Sequence, residues 1–414
     1  MLDNPFCSRV FYSIWSKHFN KADNCYTLEG IRKVQFYKTR VPGVLANMGR
    51  THTKGVYYEM DSDALQKGSH IALIYDVPAY FECSVDNSTS RHSIKRAIQY
   101  PGYYIALKNF KDLNDYLQKK FSKSSRYKLK KFKKRLEHSF DINLKMFFGK
   151  VEKEKYDKLF NSFRELLEKR FTEKQEYNNN LDEKEWSFYK EVAYPLLLEK
   201  KAGLFVVFNG DQPIAITLNY FSSEIIFDAI TVFDIDYFKF NLGFLNIMYL
   251  FEWGLSNDYK ILDFSKGYFD YKERWSTHKY DFEYHIIYNS SSLISMVMAN
   301  VLNGYFKLKQ YLRTKNINKI FNNVRHQLQS SETSEILPNS NTTFTFEEFD
   351  EQAYSLREID KNDPQLIKVL FEFLYLYQEM YKNVTIYRVL EDKTKLVLKG
   401  YVTRIVHVPT FSGH

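Results

Sequence analysis

Three apolar segments in close succession, separated by tight turns, constrain the fold of this chain more than any other feature. Asn209-Gly210-Asp211-Gln212 lies between the first two segments, and its asparagine, glycine and aspartate are typical of a hairpin turn. Ser222-Ser223 separates the second segment from the third. The segments are short and rich in β-branched and aromatic residues, as strands are. The pattern predicts an antiparallel meander whose strands are residues 202–208, 213–220 and 224–233.

The next part of the chain alternates helices and strands. After a loop, a helix is predicted over residues 244–255 and a short buried strand over residues 261–264. The strand contains Asp263, and a buried carboxylate is costly unless another group pairs with it. Lys272 and Arg274 are the nearest candidate partners in sequence. Two interpretations stay open here: a structural ion pair that fixes one loop, and a functional site.

The loop and the helix after the meander form a natural site for a phosphate group. A helix N-terminus offers unpaired backbone N–H groups and the positive end of the helix dipole. Gly243 would let the backbone approach a ligand closely, although an ordinary turn also contains a glycine before a helix. The sequence therefore predicts a pyrophosphate site near residues 239–245.

Composition indicates a folded protein that binds anions. The chain has 414 residues, enough for two or three domains, and a hydrophobic content of 44% supplies a core. Its net charge of +9 favours phosphates, nucleotides, acidic lipids or nucleic acid as partners. Positive charge is densest over residues 119–135, where a helix is predicted over residues 126–137. This helix is either a solvated basic surface or a wall that faces a phosphate-bearing ligand.

Cysteine use and hydropathy favour the cytoplasm. Cys7, Cys25 and Cys83 are few, widely spaced and odd in number, so neither a disulfide framework nor a CxxC metal site is expected. The ten histidines show no metal-ligand spacing, and no metal is expected. The N-terminus lacks a signal-peptide pattern, and no apolar run approaches the roughly 18 residues of a membrane span. We expect a cytoplasmic protein without an integral membrane segment, and contact with a membrane surface stays open.

Several segments, taken in order, resemble a known family. They are the strands Leu204-Phe-Val-Val-Phe and Pro213-Ile-Ala-Ile-Thr-Leu, then Asn241-Leu-Gly-Phe-Leu, Leu262-Asp-Phe-Ser-Lys-Gly and Tyr271-Lys-Glu-Arg-Trp275. Over about residues 100–290 this order is similar to that of the GNAT acyltransferases of the cellulose-biosynthesis (CelD-like) type. That type is related to the Fem-type peptidyltransferases. The basic segment Ser125-Arg-Tyr-Lys-Leu-Lys-Lys also resembles the family's basic helix.

The resemblance implies an α/β (α+β) fold with tandem GNAT-like domains, whose mixed and mostly antiparallel sheets are flanked by helices. The expected units are a degenerate GNAT-like domain (residues 1–121), a GNAT acyltransferase domain (122–312), a helix end and linker (313–344) and a small α+β extension (345–414). In the first unit, residues 71–76 and 103–107 are predicted as strands and residues 85–101 as a polar loop. In the last, a helix is predicted over residues 363–381 and a hairpin over residues 384–408.

The resemblance also implies a donor site. In GNAT enzymes the pantetheine of the donor lies between two splayed parallel strands, here residues 224–233 and 261–264. A backbone N–H near Thr231 or Val232 would polarise the thioester carbonyl. The implied cofactor-binding residues are Thr231, Val232, Lys239, Asn241, Leu242, Gly243 and Phe244. The chain departs from the family pattern at Leu242, where the family has proline, and at Ser265, where it has glycine.

Three residues are the catalytic candidates. Lys272 lies in an aromatic-Lys-x-x-aromatic segment similar to one in Fem-type enzymes, whose lysine stabilises the reacting group. Asp228 lies within the strand that would line the donor and could act as a base. Asp263 is the buried acid that precedes the glycine turn. The structural alternatives are that Lys272 pairs with Asp263 and that Asp228 pairs locally or faces solvent.

These inferences predict an N-acyltransferase that moves an acyl group from acetyl-CoA or another acyl-CoA to an amine of a small molecule, sugar or lipid precursor. One alternative is a Fem-like transferase that uses aminoacyl-tRNA, since the basic helix and net charge suit tRNA phosphates. The other is a non-catalytic protein that keeps the fold as a binding module.

Overall fold

The structure, a computed structural model, describes residues 3–20, 25–61, 71–81, 83, 92–174, 177–315, 344–349 and 354–408. Within these ranges the chain forms one large mixed sheet, a small second sheet and nine α-helices. The mixed α/β class predicted from the sequence is confirmed.

The large sheet has twelve strands. They are β1 (Tyr26–Leu28), β2 (Ile31–Lys38), β3 (Val44–Asn47), β4 (Glu59–Met60), β5 (Ile71–Pro78), β6 (His92–Ala106), β7 (Ile142–Phe147), β8 (Ala202–Asn209), β9 (Gln212–Phe221), β10 (Ile225–Phe233), β11 (Ile261–Lys266) and β12 (His278–Asn289). Their order is β1-β2-β3-β5-β12-β6-β11-β10-β9-β8-β7, and β4 pairs with β2. Neighbours are antiparallel except in the pairs β3–β5 and β10–β11, which are parallel.

Helices cover both faces of this sheet. They are α1 (Arg9–Phe19), α2 (Leu113–Lys120), α3 (Lys123–Ser139), α4 (Lys153–Lys174), α5 (Glu183–Leu198), α6 (Leu242–Ser256), α7 (Asp270–Trp275) and α8 (Leu293–Thr314). Side chains of β8 alternate between two cores: Leu204 and Val206 share one with α4 and α5, and Phe205 and Val207 share the other with α3 and α6. Of the helices in the described ranges, none is long and apolar enough to cross a lipid bilayer.

The meander forms as predicted. β8 pairs antiparallel with β9, and β9 pairs antiparallel with β10. The turn between the first two strands contains Gly210 at a φ of +56°, which glycine adopts at little cost. The helix predicted after the meander is α6, and the strand predicted at residues 261–264 is β11, which runs two residues further.

The largest difference from prediction is β6. Residues 85–101 were expected to form a polar loop, but β6 begins at His92 and runs for 15 residues. This strand lies between β12 and β11 and pairs with both. The segment carries Lys95, Arg96 and Pro101, so its local preference for a strand is weak. Backbone pairing on both edges outweighs this weak preference. The sequence alone does not show such pairing.

The large sheet does not break at residue 121, the predicted boundary between two domains. In the sheet, β6 lies between β11 and β12. In the sequence, β6 comes before residue 121, and β11 and β12 come after it. The two predicted domains therefore share one continuous sheet, and the division into tandem domains stays a prediction.

The C-terminal part forms the second sheet and one more helix. The strands are β13 (Phe346–Glu348), β14 (Leu356–Ile359), β15 (Thr385–Val389), β16 (Lys395–Lys399) and β17 (Thr403–His407), in the order β13-β17-β16-β15-β14. The helix predicted over residues 363–381 is α9 (Ile367–Tyr377). The hairpin predicted over residues 384–408 is instead a three-stranded meander, β15 to β17. Most of the linker predicted over residues 313–344 lies outside the described residues.

Helix α9 attaches this C-terminal part to the main body. The ring of Phe371 lies 4.9 Å from that of Phe140, which follows α3, and 4.7 Å from that of Tyr237. Tyr237 belongs to a short 3-10 helix, Ile235–Phe240, that leads into α6. The C-terminal part therefore packs beside the loop that was predicted to hold a pyrophosphate.

Candidate active site

Strands β10 and β11 pair only over their first residues and then separate. The parallel register runs from Ile225 and Ile261 to Phe227 and Asp263. Beyond that point β10 stays with β9 as far as Phe233, and β11 stays with β6 as far as Lys266. A gap therefore opens between residues 228–233 on one side and residues 264–266 on the other.

Irregular pairing on both strands explains the separation. The register of β10 against β9 shifts between Asp228 and Ile230, and the register of β11 against β6 shifts between Asp263 and Lys266. A β-bulge bends its strand and increases the local twist. In β11 the irregularity includes Ser265, whose φ is +60°. The two shifts begin where the β10–β11 pairing ends.

The backbone of β10 presents N–H groups to the gap. Asp234 N–H donates to Ile214 O of β9 at 2.7 Å. Because alternate residues of an antiparallel strand point their N–H groups in opposite directions, Val232 N–H also faces β9, while Thr231 and Phe233 point theirs towards the gap. Of the two predicted carbonyl-polarising groups, the alternation favours Thr231.

Asp263 lies at the base of the gap and is fully buried. Its carboxylate accepts hydrogen bonds from the Tyr80 hydroxyl at 2.7 Å, from the Tyr280 hydroxyl at 2.9 and 2.7 Å, and from Ser265 N–H at 2.6 Å. Burial raises the pKa of Asp263 to about 6, although these hydrogen bonds and Lys272 favour the ionised form. The expected cationic partner is replaced by two tyrosines and a backbone amide.

The Tyr280 ring needs space next to β6, and Gly102 provides it. A Cβ atom at position 102 would lie 2.3 Å from a ring atom of Tyr280. Since no side chain fits there, the glycine allows the Tyr280 hydroxyl to reach Asp263.

Lys272 lies in α7 at the mouth of the gap and is 7% exposed. Its ammonium donates to Lys266 O at 2.9 Å and to Ser265 O at 3.5 Å, and no ion pair among the described residues joins it to Asp263. Burial lowers the pKa of Lys272 to about 8; Asp228 and Asp263 favour its charged form, and Lys266 opposes it. The interpretation of Lys272 and Asp263 as a direct ion pair is therefore wrong.

Asp228 lies on β10 at the start of the gap and is partly accessible. The Thr231 hydroxyl lies 2.8 Å from Asp228 Oδ1 and 3.1 Å from Thr217 Oγ1, and Asn246 Nδ2 lies 2.9 Å from Thr217 Oγ1. Because a carboxylate only accepts, Thr231 donates to Asp228, which leaves Thr217 to donate to Thr231 and Asn246 to donate to Thr217. Burial raises the pKa of Asp228, although Thr231, Lys272 and Lys54 favour the ionised form.

Lys54 is a site residue that sequence reasoning missed. Burial lowers the pKa of Lys54 to about 7. The nearby charges of Lys266 and Lys272 lower the pKa further, and those of Asp76 and Asp228 raise it. Among the described residues it has no ion-pair partner, whereas the neighbouring Lys266 pairs with Asp76 at 2.5 Å. Lys54 lies in an irregular segment about 170 residues before Asp228 in sequence, and its surroundings there carry no motif, so no local signal pointed to it.

The N-terminus of α6 begins just after β10. Asn241 has a left-handed conformation with φ +57°, and its carbonyl accepts from Phe244 N–H and Leu245 N–H. A Cβ atom on Gly243 would lie 2.5 Å from the ring of Phe233, so Gly243 is required for close packing against β10. Leu242 is buried in the core.

Two cations lie near this helix N-terminus: one is held in an ion pair, and the other is exposed to solvent. The Lys239 ammonium pairs with Glu372 of α9 at 2.8 Å, so it holds the C-terminal part to the main body. Arg274 of α7 is exposed, and its guanidinium lies 5.3 Å from the ring centroid of Phe244. The sequence predicted Lys239 as the phosphate contact, but the geometry makes Arg274 the more available cation.

The pKa of Asp263 gives a testable pH dependence. The folded-state pKa of about 6 exceeds the ordinary value of 3.8, so between these values the folded protein binds more protons than the unfolded chain. Stability from this group therefore falls as pH rises from about 4 to 6, by about 3 kcal/mol in total. Part of this loss is already complete at pH 4.5, so the difference in unfolding free energy between wild type and Asp263→Asn should shift by about 2 kcal/mol between pH 4.5 and pH 7. Urea unfolding at both pH values measures it.

The matched control for this experiment is Asp211→Asn, in the exposed hairpin turn of the meander. It removes an exposed carboxyl group, so the pH-dependent change for Asp263→Asn is measured relative to the change for this variant. No excess change for Asp263→Asn would contradict a raised pKa at this position.

Comparison with known proteins gives one family and a set of weak structural likenesses. Residues 123–273, somewhat more than a third of the chain, match the family model described as an acetyltransferase (GNAT) domain. The matched range includes β10, α6, β11 and Lys272, and the fold is GNAT-like. No curated protein sequence matches the chain.

Among solved structures, FemX has a TM-score of 0.44 at 10% identity, over 66% of this chain and 90% of FemX. A conserved protein of unknown function from Bacteroides thetaiotaomicron has a TM-score of 0.40 at 12% identity, over 69% of this chain and 92% of that one. The C-terminal domain of a protein assigned as a lysylphosphatidylglycerol synthetase from Agrobacterium fabrum has a TM-score of 0.39 at 8% identity, over 70% and 91%. At these values the likenesses carry no information about function.

Proposed function

We propose that the protein is an N-acyltransferase that moves an acyl group from acetyl-CoA or another acyl-CoA to an amine of a small molecule, sugar or lipid precursor. The observation that carries this proposal is the gap between β10 and β11, with a helix N-terminus beyond one wall and two carboxylates and two lysines around it. The match of residues 123–273 to an acetyltransferase (GNAT) domain supports it. Membership of the CelD-like type stays a prediction.

In this proposal the donor lies in the gap with its diphosphate at the start of α6. Phe244 N–H and Leu245 N–H already donate to Asn241 O, so the phosphates would be held by the N–H groups of Leu242 and Gly243 and by the Arg274 guanidinium, which favour anions. Asn241, Leu242, Gly243 and Phe244 shape this turn, and Gly243 keeps it close to β10. The pantetheine would extend along β10, where Thr231 N–H would donate to the thioester carbonyl.

The reaction needs two proton transfers: the attacking amine loses a proton and the leaving thiolate gains one. The amine attacks the carbonyl carbon, the new C–N bond forms, the C–S bond breaks, and coenzyme A leaves as a thiolate that takes up a proton. Asp228 is the proposed acceptor of the amine proton, and its raised pKa suits that role better than an ordinary carboxylate. The Lys272 ammonium stabilises the negative charge that develops on the carbonyl oxygen. Asp263 holds the strand end that positions Lys272.

The aminoacyl-tRNA alternative rests on α3. Lys128, Lys130 and Lys134 are exposed on this helix, but Lys133 pairs with Glu252 and Arg135 donates to Tyr375 O. Part of the basic surface thus holds α6 and α9 in place. Binding of tRNA that weakens steeply as salt rises would favour this alternative. A non-catalytic binding role would instead be favoured by tight acyl-CoA binding without transfer to any amine.

Isothermal titration with acetyl-CoA and longer acyl-CoAs tests the proposal directly. We expect saturable binding, weakened about tenfold by Arg274→Gln, because a charged hydrogen bond to phosphate contributes about 1.5 kcal/mol. The matched control is Lys145→Gln, which removes another exposed cation that lies over a phenylalanine ring, that of Phe147. Binding of no acyl-CoA by the wild-type protein would refute the proposal.

A further inference from the structure

Helix α8 exposes a long apolar face. Val301 at its centre is 67% exposed and Ile294 near its start is 66% exposed, values that are unusual for large aliphatic side chains. The exposed apolar residues recur at steps of three and four along the helix: Ile294, Val297, Val301, Tyr305, Leu308 and Leu312. They form one continuous stripe over a helix about 33 Å long.

The opposite face of α8 fixes its orientation. Ser295, Ala299 and Phe306 are buried against the sheet, and the ring of Phe306 stacks on Tyr284 of β12 with centroids 3.9 Å apart. Arg313 donates to Gln99 O of β6, and its guanidinium lies 3.7 Å from the ring centroid of Tyr100. The apolar stripe therefore points away from the body along its whole length.

The charges of α8 are of one sign. The helix contains no acidic residue, and Lys307, Lys309 and Arg313 are its only charged groups. Lys307 and Lys309 are both exposed and each is adjacent to Leu308, so they lie about 100° to either side of it. An apolar stripe with lysines on both edges matches a surface that is apolar inside and anionic at its boundary. A second copy of the helix packed parallel to the first would bring like charges together instead.

The C-terminal end of α8 reaches the turn between β11 and α7. Gln310 Nε2 donates to the Tyr268 hydroxyl at 2.9 Å, and the Tyr268 ring lies 6.0 Å from that of Tyr100. Tyr268 and Phe269, which precede Lys272, are themselves more than half exposed. The apolar surface thus continues from the helix to the mouth of the candidate site.

We propose that α8 binds in the plane of a bilayer that contains anionic phospholipid. The stripe lies at the boundary between headgroups and acyl chains, and Lys307 and Lys309 reach the phosphates on either side. Tyr305 and Tyr311 lie at the level of the lipid headgroups, where tyrosine rings are enriched. This binding does not depend on acyl transfer and goes beyond the function proposed above.

Co-sedimentation of the full-length protein with vesicles tests this. We expect binding to phosphatidylcholine vesicles that contain phosphatidylglycerol, and at least about tenfold weaker binding to phosphatidylcholine alone. Val301→Glu/Leu308→Glu should lower the partition coefficient at least about tenfold. Lys307→Gln/Lys309→Gln should lower it about fivefold or more and reduce its dependence on salt. The matched control, Lys382→Gln/Lys393→Gln, removes two exposed lysines from the C-terminal part and should bind as wild type does.

Other outcomes overturn the proposal. They are absence of binding to anionic vesicles, equal binding to neutral and anionic vesicles, or unchanged binding of the Val301→Glu/Leu308→Glu variant. A dimer without lipid, seen by sedimentation velocity and dissociated by the same variant, would assign the stripe to a second copy of the chain. The substituted positions are exposed, so circular dichroism and thermal unfolding should confirm that each variant is folded.

Discussion

Replacing Lys272 with methionine is expected to lower kcat for acyl transfer by about 10²- to 10³-fold. The ammonium of Lys272 is buried at the mouth of the gap, and burial strengthens its field at any carbonyl oxygen that enters. Methionine keeps most of the aliphatic stem, so packing changes little while the charge is lost. The Kd for acyl-CoA should stay within about twofold, because the proposed phosphate contacts lie on α6 and Arg274. Coenzyme A release with an acceptor amine found by screening measures kcat.

Lys272 also has a structural task, and the experiment separates the two roles. Loss of its hydrogen bonds to Lys266 O and Ser265 O should cost about 1–3 kcal/mol in unfolding free energy. The control Lys279→Met changes an exposed lysine on β12 and should alter neither stability nor kcat. A Lys272→Met protein that unfolds more easily but keeps its kcat at low temperature would leave Lys272 with the structural role alone.

Replacing Lys239 with methionine should destabilise the fold by about 3–5 kcal/mol. Glu372, its partner, is 3% exposed, and the second oxygen of that carboxylate has no hydrogen-bond donor in the described structure. Without Lys239 the buried charge has neither water nor a cation to stabilise it. The loss should appear first in the contact of α9 with the main body. Urea unfolding and limited proteolysis of the C-terminal part measure it.

The double variant Lys239→Met/Glu372→Leu supplies the control for this second expectation. Replacing a whole buried ion pair with apolar residues of similar volume is often neutral or stabilising. The double variant should therefore recover most of the stability lost in Lys239→Met. Equal destabilisation of the single and double variants would mean that the stem of Lys239 and its packing matter more than its charge.

The parts of the fold that follow from neighbouring residues could be predicted from the sequence. The meander is one example, because Asn209-Gly210 and Ser222-Ser223 mark its turns locally. The gap between β10 and β11 was expected from the resemblance, but its cause was not, since bulges depend on how two strands pair. β6 could not be predicted because its stability comes from partners on both edges rather than from its own residues.

The same distinction, between partners close in sequence and partners distant in sequence, explains which site contacts could be predicted. The sequence suggested a cation close by for Asp263, but its partners include Tyr80, which precedes it by 183 residues. Lys239 was expected to bind a phosphate, and its partner Glu372 follows 133 residues later. Lys54 lacks any local motif and joins the site only because the sheet brings the first part of the chain against β10 and β11. Electrostatic partners distant in sequence leave no periodic pattern to detect.

The position of β6 also determines when the site can form during synthesis. β6 leaves the ribosome first, and its two neighbours follow only after Ile261 and His278 have been made. Until then a 15-residue strand has both edges unpaired, which is a state prone to aggregation. Tyr280 of β12, which donates a hydrogen bond to Asp263, is synthesised last of these residues. The nascent chain therefore needs protection of β6 over the time in which α2 to α7 are synthesised. Ribosome-bound chains stopped before residue 261 should recruit chaperones more strongly than chains extended until residue 289 has left the exit tunnel.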